Sequence, residues 1–167
     1  MEDPRVYPPR TADEKTMLLA YLDMYRGTMV WKLRDLTDEQ AKWSPVPSGT
    51  SLFGLAAHLA MVERWWFTAV MADADEVDFP WSDDDPDADW RGPEGATLAD
   101  VVALYESECE RSRAVTRDID LDAIMSTRRA KHTRNAREIV VHMIEETARH
   151  AGHADIIREL LDGVVGE

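Results

Sequence analysis

The fold of this chain is decided by residues 139–161, which read IVVHMIEETARHAGHADIIRELL. At about 100° of helical rotation per residue, aliphatic side chains at both ends of this stretch share one face with three histidines and a glutamate. That face comprises Ile139, His142, Met143, Glu146, His150, His153, Ile157, Leu160 and Leu161. A glutamate that faces a core is costly unless it is paired or bound to a metal. The stretch therefore predicts a long, core-facing helix with a functional site in its middle.

Length and charge narrow the class of protein. The 167 residues suffice for one hydrophobic core, and we expect a single domain over residues 1–167. The net charge of −14 disfavours nucleic acid, because binding phosphates by counterion release requires a basic face. It also disfavours an anionic membrane surface. We therefore expect neither nucleic acid nor a membrane as a partner.

Three features bear on where the protein resides. The first ten residues contain two carboxylates and three prolines rather than an apolar segment, so we expect no signal peptide. The longest apolar stretch, residues 52–71, is interrupted by His58, Glu63 and Arg64 and is too polar to span a bilayer. The single cysteine, Cys109, excludes an intramolecular disulfide and fits a reducing compartment. We expect a cytoplasmic protein.

Four segments carry apolar side chains at helical spacing, and a capping residue precedes each of them. The predicted helices run from Thr11 to about Arg34, from Thr50 or Ser51 to about Met71, from Thr97 through Val115, and from Asn135 to about Asp162. Capping boxes are predicted for Thr11 with Glu14, for Thr37 with Gln40 at a further short helix, and for Asn135 with Glu138. Gly163 is a natural stop for the last helix.

The segment from residue 73 to residue 96 differs from the helices in composition. It holds ten acidic residues, one arginine and three prolines, and it shows no periodicity. We interpret it as a long, solvated acidic loop that crosses the bundle between helices two and three, pinned to it by Phe79, Trp81 and Trp90. No strand periodicity is visible, so the sequence predicts an all-α four-helix bundle. The long loop favours an up-up-down-down arrangement over simple up-and-down.

A second helix contributes an ionisable group to the same interior. His58 has apolar neighbours at i−3, i+4 and i+7 and therefore faces the core. With the i, i+4 pair Glu146 and His150 it makes three candidate ligands from two helices. Three protein ligands leave a position for water or substrate, which is the pattern of a catalytic zinc site. From the residues alone, a buried hydrogen-bonded network without metal explains the pattern equally well.

The other candidates have more than one interpretation. His153, one turn after the Glu–His pair, could be a fourth ligand, a substrate contact or a general base. His142 suits a hydrogen bond that holds a ligand in place, and His132 suits an exposed position. Arg149 and Arg158 are expected at the surface beside acidic side chains.

Weaker signals are read as structure. Cys109 has no adjacent base and is expected to pack in the core. Trp65 and Trp66 are expected in the core or in an interface. The acidic run over residues 83–89 lacks the glycine and the terminal glutamate of a calcium loop, so we expect it to be solvated.

Two stretches resemble the DinB-like superfamily, and more narrowly an actinobacterial branch whose function is not established. They are GTSLFGLAAHLAMVERWWF at residues 49–67 and HMIEETARHAGHADIIRELLDG at residues 142–163. The LTDEQ turn at residues 36–40 and the order of helices extend the resemblance over nearly the whole chain.

The resemblance implies a four-helix bundle that holds a divalent metal, usually zinc or nickel, with three residues. By position these are His58, Glu146 and His150. Many members of the superfamily have histidine where this chain has Glu146, and a glutamate there is similar to the mycothiol-dependent maleylpyruvate isomerase branch. His153 stands where many relatives carry glutamine.

Three functions are compatible with this resemblance. The first is a metal-dependent transferase or isomerase in which a low-molecular-weight thiol, such as mycothiol or bacillithiol, attacks a small electrophile. His153 would then move a proton, and Arg128, Arg129 or Arg149 would hold a carboxylate. Zinc is the first choice of metal, with nickel, iron and manganese as alternatives.

The second function is metal-assisted hydrolysis through an activated water. The third is a non-catalytic metal-binding stress-response protein, so the sequence leaves open whether the protein is an enzyme. We also expect a homodimer, whose interface could use the tryptophans Trp65, Trp66, Trp81 and Trp90.

Overall fold

The computed structural model describes residues 5–125, 129 and 132–166, and α-helices dominate this part of the chain. They are α1 (Glu14–Lys32), α2 (Asp38–Lys42), α3 (Leu52–Glu63), α4 (Leu98–Thr116) and α5 (Ala136–Asp162). Two short strands, β1 (Ile124–Met125) and β2 (Arg134–Asn135), pair antiparallel just before α5. The predicted all-α bundle is confirmed, and the strands were missed because two residues are too few to show a period. Among the described residues, no helix combines the length and the apolar character needed to cross a membrane.

α3 continues beyond Glu63 as a π-helical segment, Arg64–Met71, which reaches the predicted end of the second long helix. A π-helix has i→i+5 hydrogen bonds and therefore more residues per turn than an α-helix. Side-chain directions in this segment consequently drift from the α-helical period. Phe67 is buried, whereas Trp65 and Trp66 are only partly buried and lie at the edge of the core.

Contacts at the helix ends establish the directions of α1, α4 and α5. Arg137 at the start of α5 donates a hydrogen bond to Glu14 at the start of α1. Lys32 at the end of α1 pairs with Asp155 near the end of α5. These two helices are therefore parallel. Lys15, also at the start of α1, donates to a backbone carbonyl just after α4, so α1 and α4 are antiparallel.

α3 runs antiparallel to α1. Leu22, in the first half of α1, belongs to the buried cluster that contains Phe67, whereas Met29 belongs to the cluster that contains Leu52. The long helices therefore follow an up-down-down-up order, and the predicted up-up-down-down order is wrong. That order needs two long crossovers, whereas one long loop provides a single crossover between the parallel helices α3 and α4.

The predicted caps of the later helices are confirmed. They are Thr37 with Gln40 at α2, Ser51 at α3, Thr97 at α4, Asn135 at the start of α5 and Gly163 at its end. At α5 the carboxylate of Glu138 contacts Arg134, and Asn135 alone provides the cap. Thr11 was the wrong cap for α1: Asp13 caps it, because its carboxylate accepts from both the amide and the hydroxyl of Thr16.

The buried face of α5 is rotated from the predicted one. Thr147 and Ala154 are fully buried and Leu160 is 61% exposed. Small side chains on this face allow neighbouring helices to approach closely. Arg158, predicted at the surface, is buried, because it donates to two backbone carbonyls, one at the end of α1 and one just after it, as well as to Asp162.

The crossover loop, residues 73–96, packs closely against α3. It contains a 3₁₀ turn, Ala88–Arg91. A Cβ at Gly54 would lie 2.7 Å from the Trp90 carbonyl oxygen, and a Cβ at Gly92 would lie 2.8 Å from the Phe53 ring. Glycine at both positions lets the loop approach the helix. The prediction of a solvated loop is wrong for Asp89, which is 5% exposed.

Candidate metal centre

Two helices bring three ionisable side chains together at one point. Oε1 of Glu146 lies 3.3 Å from Nε2 of His58 on α3 and 3.1 Å from Nε2 of His150, one turn further along α5. One ligand atom from each residue lies within 4.8 Å of the other two. The side chains are 15% exposed for His58, 16% for Glu146 and 8% for His150. The three residues predicted as ligands therefore converge, and the group could hold a metal ion.

The other edge of the His58 ring is held by the crossover loop. Nδ1 of His58 lies 2.6 Å from Oδ2 of Asp89. Trp90 stacks on the ring with centroids 4.1 Å apart and an interplanar angle of 13°. Neither residue was predicted to reach the site, because no sequence spacing links an acidic loop to a histidine on a preceding helix.

Interactions within the cluster shift two pKa values. Hydrogen bonds from His150 and then from His58 hold the pKa of Glu146 well below its usual value, against the opposing effect of burial. Burial lowers the pKa of His58, but hydrogen bonds to Asp89 and Glu146 outweigh it, so the pKa is raised. These shifts keep Glu146 ionised and favour a proton on His58. Two imidazoles and a carboxylate are also donors that a divalent ion such as zinc accepts, so the residues fit a metal.

His153 lies beside the cluster and outside its centre. Its Nδ1 is 3.3 Å from Nδ1 of His150, while Nε2 of His150 faces Glu146. The side chain is exposed, so the prediction that it faces the core is wrong. Burial, followed by the charges of His150 and Arg149, lowers the pKa of His153. A role for His153 in catalysis stays a prediction.

An aromatic cleft of about 230 Å³ opens beside the candidate ligands. Its lining consists of His58, Val62, Trp65, Trp66, Trp81 and Asp89. The rings of Trp65 and Trp81 meet edge to face with centroids 6.1 Å apart, and Phe79 stacks on Trp81 at 4.5 Å. The predicted pinning of the loop by aromatic side chains is confirmed. The cleft suits a small apolar molecule beside the ligand cluster.

The other histidines lie away from the ligand atoms. His142 meets the Trp66 ring edge-on at 5.0 Å, and the carboxylate of Glu145 lies 3.9 Å from its Nδ1. Among the described residues, no hydrogen bond joins His142 to a candidate ligand, although one was predicted. His132 is exposed, as predicted.

The remaining candidates are engaged elsewhere. Arg149 pairs with Glu145 at the surface, as predicted. Arg129 donates to backbone carbonyls of the crossover loop, which leaves its predicted role as a carboxylate anchor without support from the structure. Cys109 is buried, as predicted. Arg128 lies outside the described residues.

The fold and the candidate site define an all-α DinB-like bundle, as the sequence predicts, in which three side chains from two helices could hold a metal ion. The sequence model of the Mycothiol-S-transferase (MST) family matches residues 17–163, so the chain belongs to this family. A conserved protein from Enterococcus faecalis has the same fold, with a TM-score of 0.71 and 15% sequence identity. The similarity covers 92% of this chain and 99% of that one. Among curated proteins, none matches this chain.

Proposed function

We propose that the protein is a divalent-metal-dependent transferase that joins a low-molecular-weight thiol of the mycothiol type to a small electrophile. The observation that carries the proposal is the convergence of His58 Nε2, Glu146 Oε1 and His150 Nε2 beside the aromatic cleft. Membership of the Mycothiol-S-transferase family supports the choice of thiol. In this proposal the three residues are the metal ligands, with zinc first and nickel second among the candidate ions.

The proposed chemistry depends on activation of the thiol by the metal. A bound divalent cation would lower the pKa of a coordinated thiol and so supply thiolate at neutral pH. In a transfer, the sulfur forms a bond to an electrophilic carbon, and the leaving group departs with the bonding electron pair. The thiol proton passes to the exposed imidazole of His153 or to water. An isomerase would use the corresponding addition and then expel the thiol unchanged.

The aromatic cleft would hold the electrophile. Trp65, Trp66 and Trp81 line the cleft together with His58, and a volume of about 230 Å³ admits a small molecule. An apolar or aromatic acceptor therefore fits this cleft better than a long polar one. His153 reaches the cluster from the exposed side, where a thiol can enter from solvent.

The first test is metal content, measured by mass spectrometry on protein purified without an affinity tag. We expect about one zinc or nickel ion per chain, as for a three-ligand site. His150→Ala should lose it, and His132→Ala, which removes an exposed histidine, should retain it. An absence of metal in the unmodified protein, persisting after zinc is added, would contradict the proposal.

The second test is consumption of a fluorogenic haloalkyl electrophile with and without mycothiol. We expect turnover to require both the thiol and the metal, and to be lost in Glu146→Gln. Turnover of an ester by the metal-loaded protein without thiol would favour the hydrolase. Stoichiometric metal without either reaction would favour the non-catalytic alternative. A homodimer stays a prediction, which sedimentation equilibrium tests.

A further inference from the structure

The crossover loop places one buried carboxylate beside the candidate metal centre. Asp89 is 5% exposed, whereas Asp83, Asp84 and Asp87 in the same loop are exposed. A buried carboxylate is costly unless a partner offsets its lost hydration. Its partner here is Nδ1 of His58, at 2.6 Å. This short contact makes Nδ1 a hydrogen-bond donor, because the carboxylate can only accept.

When a metal displaces the proton through which Nε2 contacts Glu146, a donor at Nδ1 leaves the lone pair of Nε2 to the metal. In a neutral imidazole with a proton on Nδ1, the lone pair is on Nε2. Nε2 of His58 is the atom that lies 3.3 Å from Glu146 within the ligand cluster. A carboxylate on the far nitrogen of a ligating histidine fixes the tautomer and the ring orientation and strengthens the ligand.

Trp90 supplies a second constraint on the same ring. Its indole stacks on His58 at 4.1 Å, so the imidazole cannot leave its plane without losing that contact. The same indole meets the His150 ring edge-on at 5.5 Å. One loop side chain therefore contacts both histidines of the candidate ligand set.

The backbone of α3 is built to accept this loop. Gly54 precedes His58 by one turn, and a Cβ there would lie 2.7 Å from the carbonyl oxygen of Trp90. Residues one turn apart lie on the same side of a helix. The close approach at Gly54 and the contacts at His58 therefore belong to one docked surface.

We propose that Asp89 and Trp90 are positioning residues that hold His58 in the orientation of a metal ligand, so that metal affinity depends on docking of the crossover loop. Both residues act through His58. The inference rests on the metal site proposed above and adds two residues from the loop to its support.

Zinc affinity of the full chain, measured by competition with a chromophoric chelator, tests the inference. We expect Asp89→Ala to weaken zinc binding by about 10–100-fold, the usual effect of losing such a partner. Asp89→Asn should weaken it less, because the amide oxygen still accepts from Nδ1. Asp84→Ala removes the same charge from an exposed position of the loop and should leave the affinity unchanged.

Nuclear magnetic resonance of the zinc-loaded protein gives a readout that general destabilisation would not produce. We expect a deshielded, slowly exchanging Nδ1 proton of His58, retained in Asp84→Ala and lost in Asp89→Ala. Circular dichroism establishes that each variant is folded at the temperature used.

A glycine pair tests docking without removing any polar group. Gly54→Ala should push the loop from α3 and weaken zinc binding, whereas Gly152→Ala, on α5 with nothing within 4 Å of its added carbon, should not. Equal zinc affinity of Asp89→Ala and Asp84→Ala would overturn the inference and leave the metal site standing. Failure of the unmodified protein to bind zinc would remove the site and this inference with it.

Discussion

Arg26 on α1 donates two hydrogen bonds to Glu63 at the end of α3, from Nε at 2.8 Å and from Nη2 at 2.6 Å. Both residues are buried, with exposures of 3% and 0%. Burial lowers the pKa of Arg26, but the charge of Glu63 outweighs it and raises the pKa overall. Two long helices are thus joined in the interior by a pair of opposite charges.

Removing one charge of this pair should lower the free energy of unfolding more than removing both charges. We expect Arg26→Ala to lower the free energy of unfolding by about 3–5 kcal/mol, because it leaves the Glu63 carboxylate buried without its partner. Replacing both residues by methionine should recover most of that loss. Urea unfolding followed by circular dichroism measures each value. An equal loss in the single and the double variants would contradict the prediction.

The end of α5 requires glycine for its backbone conformation. Gly163 has φ of 80° and nothing within 4 Å of an added Cβ, so alanine there meets backbone strain without a steric clash. We expect Gly163→Ala to destabilise the protein by about 1 kcal/mol. Gly152→Ala, in the middle of the same helix, should stabilise it by up to about 1 kcal/mol. Thermal unfolding of the two variants checks the opposite signs.

Asp162 should make stability depend on pH. Hydrogen bonds from Arg158 hold the pKa of this carboxyl below its usual value. A lowered folded-state pKa contributes stability that is complete above the unfolded-state pKa of about 3.9 and is lost as the pH falls through the folded-state value. We therefore expect the Asp162→Asn variant to have a lower melting temperature than the unmodified protein at neutral pH.

The difference in melting temperature should shrink as the pH falls below about 4 and vanish below the folded-state pKa. Asp118→Asn, at an exposed carboxylate, serves as the control and should show little difference at any pH. A pH-independent deficit for Asp162→Asn would indicate a packing effect instead of a charge effect.

Cys109 should be inert in the folded protein. It is 2% exposed, and burial, followed by the charge of Glu63, raises the pKa of its thiol. Thiolate is the reactive form, so both access and ionisation oppose reaction. We expect no labelling by a thiol reagent under native conditions and about one thiol per chain in urea. Rapid native labelling would show that α4 opens easily around this residue.

Sequence patterns predicted the features that depend on residues close together in the chain. The caps at Ser51, Thr97 and Asn135 follow from one polar residue and the amide three positions later, so a single sequence reveals them. Helical periodicity predicted that His58 and Glu146 face the interior, because each residue interrupts an apolar face, and the family resemblance implied that they act as ligands together.

The features that sequence patterns missed depend on contacts between distant segments. Asp89 reaches His58 through docking of a loop without periodicity, and Arg26 meets Glu63 because α1 and α3 pack antiparallel. His153 falls outside the buried face of α5, which includes small side chains such as Ala154. None of these pairings leaves a spacing signal in the chain.

The convergence of α3 and α5 at the candidate site has a kinetic consequence. His58 and Glu146 are 88 positions apart, so the candidate ligand set cannot assemble until α5 has docked against the earlier helices. During synthesis, the apolar faces of α1 and α3 stay incompletely covered until the last long helix has emerged. Contacts of such long sequence separation also slow closure of the bundle. In a nascent chain, capture of an ion by all three side chains would therefore mark the completion of folding.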